Sequence, residues 1–160
     1  MNGSQLKAMA VAGIALLLPM TAAEAKVRAA GNSTAILLTS TAVFVDAPIN
    51  GAATTISFNM AQKGRVVITY SAECSVSGNV VNWATLQIVL NGNIIAPTQN
   101  DTTICSDNTT AIHDGFVQIS KSVVAKAKAG NNVLKIKVRM AFVNAGSELR
   151  LEDSSTVVLD

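Results

Sequence analysis

The residues best suited to chemistry in this chain fall in two groups. Lys135, Lys137 and Arg139 recur at every second position of an apolar run, and Trp83 is the single tryptophan. Along a strand that spacing puts the three cations on one face, where they could meet an anionic glycan or lipopolysaccharide surface. Cations in such a row also serve simply to keep strands from aggregating. Trp83 has the parity opposite Leu86, Ile88 and Leu90, so it points outward, where an aromatic ring can stack on a sugar. A tryptophan there also serves to plug a sheet edge or cover a disulfide. Trp83, Lys135, Lys137 and Arg139 are therefore the candidate ligand contacts.

Catalysis finds little support. His113 is the only histidine, and no Gly-x-Ser-x-Gly elbow supplies a nucleophile to pair with His113 and Asp114. A single histidine cannot build a cupin-type metal centre. Glu73, Glu148 and Glu152 lie at alternating, solvated strand positions, and no motif pairs two of them as general acid and base. The sequence predicts a protein that is not an enzyme and carries no cofactor. Asp101, Asp107 and Asp114, with Asn100 and Asn108, offer hard oxygen ligands for calcium, but their spacing matches no calcium motif and such residues are ordinary in turns.

Compartment follows from the first 25 residues and the cysteines. Lys7, an apolar run over 8–18, Pro19 and the Ala23-Glu24-Ala25 triplet form a signal peptide cleaved before Lys26. The apolar run is about 11 residues against the roughly 20 of a membrane-crossing helix. No later stretch is long enough either, so no membrane span is expected. Residues 26–160 then form one domain, secreted or periplasmic. It keeps 11 basic against 9 acidic side chains, a balance that points away from nucleic acid. Cys74 and Cys105, the only cysteines, pair in that oxidising compartment. Sequons at Asn32, Asn100 and Asn108 matter only in a host that glycosylates.

The elements that must position these residues are strands. Thr, Val, Ala, Asn and Ser dominate and only 14% of residues are charged, a composition of strands and turns. Alternation is clear over 65–74 and 133–143, with further strands at 42–46, 54–59, 84–90, 93–96, 116–124, 148–151 and 156–159. Residues 123–129 could form one helical turn before Gly130. Turn signals separate the runs, and Asn91-Gly92 is the strongest hairpin signal. Residues 98–115 read as a long loop pinned by Cys105. Eight to nine antiparallel strands in this arrangement predict an all-β sandwich of the jelly-roll type with one disulfide.

The order Phe58, then Gly64-Arg65-Val66-Val67-Ile68-Thr69-Tyr70, then Leu86-Gln87-Ile88-Val89-Leu90-Asn91-Gly92, then Ala129-Gly130-Asn131-Asn132-Val133-Leu134 resembles the globular-head family of complement first component and its tumour-necrosis-factor-like relatives. The resemblance spans roughly residues 43–159, but the chain lacks the aromatic-rich final strand of that family. It implies a jelly roll that packs with copies of itself, usually as a trimer. Val67, Val89 and Trp83 are the expected interface, because the alternation assigns all three to a solvent-facing side. The reading is an exported, non-catalytic binding or assembly module whose ligand is a surface glycan or another cell-surface molecule. A structural subunit of an extracellular filament is the alternative.

Overall fold

The computed structural model describes residues 26–33, 35–39, 43–77, 82–96, 103–107, 115–141 and 147–160. Among these residues the chain forms strands and no helix. In order they are β1 (Val27–Asn32), β2 (Ile36–Leu38), β3 (Val45–Asp46), β4 (Ile56–Met60), β5 (Gly64–Ser77), β6 (Asn82–Leu90), β7 (Asn93–Ala96), β8 (Thr103–Asp107), β9 (Val117–Ala127), β10 (Gly130–Met140) and β11 (Glu148–Leu159).

Two antiparallel sheets result. One has the order β1-β11-β5-β9, with β2 on β11; the other has the order β3-β10-β6-β7, with β4 on β10 and β8 on β6. The first strand thus lies beside the last, and successive long strands alternate between sheets, which is jelly-roll wiring. Period-two alternation explains the layering. Val66, Ile68, Tyr70 and Ala72 of β5 face Leu86 and Ile88 of β6 and Leu134, Ile136 and Val138 of β10 across one fully buried core. Lys121 faces inward on the edge strand β9, opposite Tyr70, a charge that discourages pairing with a further strand.

The expected elements are present with shifted limits. Asn91 and Gly92 adopt φ of 52° and 83°, the doubly positive turn that an Asn-Gly hairpin needs. Residues 148–151 and 156–159 belong to a single strand, interrupted between Glu152 and Ser155 by a bulge where Asp153 has a φ of 44°. Residues 123–127 continue β9 rather than turning helically, because pairing with β5 runs on to Ala127 opposite Gly64. The loop expected over 98–115 contains β8, which pairs with β6. The segment before Cys105 is thus strand, recruited by a sheet edge that local composition does not reveal. The proposed signal peptide and His113 lie outside the described residues.

Cys74 and Cys105 are bonded, with Cα atoms 6.1 Å apart. Cys74 belongs to β5 in one sheet and Cys105 to β8 in the other, so the bridge staples the sandwich across its core.

Candidate functional site

β10 runs through the middle of the six-stranded sheet, held by β6 on one side and by β3 and β4 on the other. Its inward residues Leu134, Ile136, Val138 and Met140 are completely buried, and this fixes Lys135, Lys137 and Arg139 on the outer face. Register sets Lys135 opposite Val89, Lys137 opposite Gln87 and Arg139 opposite Thr85 on β6. Trp83 stands two residues beyond Thr85, half-buried, facing Ser106 of β8. All four expected contact residues therefore share one sheet face, with Trp83 diagonal to Arg139 at about 7–8 Å between Cα atoms.

Three residues that sequence reasoning did not single out organise this face. Asp46 of β3 lies opposite Lys137; its Oδ2 accepts from Lys135 Nζ at 2.5 Å and its Oδ1 pairs with Lys137 Nζ at 3.4 Å. The hydrogen bond from Lys135 holds the Asp46 carboxyl below the usual carboxylate range, against an opposing push from burial and with the charges of Lys135 and Lys137 adding to the effect. Arg139 Nε donates to the buried Thr85 hydroxyl at 3.1 Å, and its guanidinium lies 4.7 Å from the centroid of the Phe44 ring. On this face the single carboxylate of Asp46 is shared by the two ammonium groups of Lys135 and Lys137. No local pattern could have found Asp46, since only the sheet brings it to a lysine 89 positions away.

Other expectations need correction. Val67, Val89 and Trp83 do not form one face: Val67 lies on the outer face of the five-stranded sheet, whereas Val89 and Trp83 belong to the six-stranded one. Val89 is itself buried, flanked by Lys135 on β10 and Ile94 on β7, because β6 is an inner strand. Lys126, near the Lys135 row in sequence, lies instead on the other sheet, opposite Arg65. Trp83 does not cover the disulfide, since Cys105 opposes Ala84, whose side chain points to the core. Asn32 is buried beside Ser154 and so is a poor acceptor for a glycan.

Asp101 and Asp114 lie outside the described residues. Asp107 ends β8 opposite Asn82, and its side chain is likewise not described. Among the described residues no three His, Cys, Asp or Glu side chains are grouped to hold a metal, and no helix is long and apolar enough to cross a membrane. Glu73 and Glu152 oppose one another on β5 and β11, and Glu148 pairs with Arg150 at 3.0 Å.

No family model and no curated protein matches the chain. The jelly-roll sandwich that the complement-head resemblance implies is present, while membership of that family gains no support from the comparison. Among solved structures the chain is similar to a family 35 carbohydrate binding module from Clostridium thermocellum, at 14% identity. That alignment covers 82% of this chain and 97% of the module with a TM-score of 0.36, too low to bear on ligand or mechanism.

Proposed function

We propose that the chain is an exported, non-catalytic module that binds an acidic glycan on the outer face of its six-stranded sheet. The observation that carries this reading is the common face of Trp83, Lys135, Lys137 and Arg139. An aromatic surface beside a row of cationic side chains suits a sugar ring that bears a carboxylate or sulfate. Sugar stacking would use Trp83, and the cations held by Asp46 and Thr85 would select the acidic substituent. Such preset side chains lose little freedom on binding.

A glycan array probed with the exported protein tests this. Binding should concentrate on uronic-acid or sulfated glycans, and Trp83→Ala should weaken it by at least about tenfold, or about 1.4 kcal/mol. Equal binding of neutral and acidic glycans, or an unchanged Trp83→Ala variant, would reject the face. Self-association, a trimer by the resemblance, is a second part of the proposal, through a surface other than the one expected from Val67, Val89 and Trp83. Light scattering decides it, and electron microscopy for fibres tests the filament alternative.

A further inference from the structure

The five-stranded sheet carries a second surface, at the end where β4 turns into β5 and β9 turns into β10. Register aligns Val27 of β1, Leu159 of β11, Val67 of β5 and Val124 of β9 side by side on its outer face. Their exposures are 63%, 38%, 36% and 61%. With strands about 4.8 Å apart, the four make a stripe about 14 Å wide across the sheet. Exposed apolar residues scattered singly are ordinary, but four in register are a patch.

One row nearer the end of the sheet, Arg65 and Lys126 face each other, and Lys63 and Lys128 join them around a groove floored by Gly64 and Ala127. No acidic residue lines that groove, and none of its four cations has an ion-pair partner among the described residues. Asp160, which follows Leu159, is held by the Lys26 backbone nitrogen at 2.7 Å and by Arg28 Nη1 at 3.4 Å. Beyond the stripe, in the other direction, come two rows of small uncharged residues, Ala29, Val157, Thr69 and Ser122, then Gly31, Ser155, Ser71 and Ser120.

We propose that this corner docks the protein on an anionic lipid bilayer, with the four cations meeting phosphate headgroups and the stripe entering the boundary with the acyl chains. Apolar side chains flanked by cations are the two attractions that hold a protein at such an interface. Charge favours a bilayer over a second copy of the chain. With strands aligned or antiparallel, two copies laid stripe against stripe would set Arg65 over Arg65 or over the Thr69 row, and neither supplies an acid.

Sedimentation of the full chain with vesicles tests the proposal, using phosphatidylcholine alone and phosphatidylcholine containing phosphatidylglycerol. The apolar run over 8–18 is common to every variant, so comparison with the wild type cancels its contribution. Each cation near an anionic surface is worth about fivefold in affinity, so Lys126→Gln with Lys128→Gln should weaken binding to the anionic vesicles by about 25-fold and leave neutral vesicles unaffected. Val124→Ser should weaken it further while the circular dichroism melt of each variant stays that of the wild type. Equal binding of the wild type and the double glutamine variant would overturn the proposal. So would displacement from vesicles by dilute inorganic phosphate, which would assign the groove to a free anion. An oligomer dissociated by Val124→Lys would assign the stripe to a second copy instead.

Discussion

Tyr70 is the only tyrosine in the chain and is completely buried on the inner face of β5. Its hydroxyl, like those of Ser154 and Thr156, is buried and makes no hydrogen bond of ordinary geometry to the described residues. Thr156 is its register partner on β11, and Ser154 belongs to the bulge just before it. Burial pushes the Tyr70 hydroxyl up to about 12, with the Ser154 hydroxyl beside it acting in the opposite direction. Unfolded tyrosine titrates near 10, so the folded state holds the proton over about two further units. The stabilisation is therefore fully present below about pH 10 and is lost as pH rises through about 12, a change of up to about 2.7 kcal/mol. Tyrosinate absorbance of the folded protein should rise with a midpoint near 12. Urea titrations in that window should show the wild type losing stability that Tyr70→Phe retains. At neutral pH the same substitution should leave stability unchanged or raise it by up to about 1 kcal/mol, because it removes an unpaired buried hydroxyl. A tyrosinate midpoint near 10 in folded protein, or a neutral-pH loss beyond about 1 kcal/mol, would refute the reasoning.

Asn132 is buried and accepts from Asn91 Nδ2 at 2.8 Å and Lys128 N at 3.1 Å while donating to the carbonyls of Lys128 and Gly130. Asn132→Ala leaves several of these groups unpaired and should cost about 2–4 kcal/mol in a denaturant titration. Replacing Cys74 and Cys105 together by Ala opens a loop with a sequence separation of 31 and should cost about 4 kcal/mol on the chain-entropy account. The carboxyl of Asp46 is held low, so its contribution is present above the unfolded value near 4 and is lost as pH falls through the folded one. Thermal melts of Asp46→Asn should accordingly show a shallower loss of stability on acidification than those of the wild type.

Alternation made the central strands legible. Lys135, Lys137 and Arg139 read as outward because Leu134, Ile136 and Val138 between them needed a core, and the sandwich supplies it. The Asn91-Gly92 turn and the Cys74–Cys105 bridge were legible for similarly local reasons of backbone and redox chemistry. Parity, however, labels faces only within one strand. It gave Val67 and Val89 the same outward sense without saying that β5 and β6 belong to different sheets, so the interface built on both was mistaken. Exposure on the outer face depends on neighbours, which is why Val89 is buried and Val124 is not. Asp46, Phe44 and Thr85 were illegible because their roles arise from cross-strand partners distant in sequence. The short strands β1, β2 and β8 likewise owe their form to the edges they join.

The bridge between β5 and β8 also bears on how fast the chain can fold. Jelly-roll wiring sets Val27 against Leu159, so much of the native pairing waits on long loop closures and folding is slow for a domain of this size. A bond already formed between Cys74 and Cys105 shortens the search that brings β8, and the β6 strand it pairs with, over β5. The oxidised chain should therefore refold faster than the reduced one, and the gain should vanish for contacts that form only after the two sheets have met.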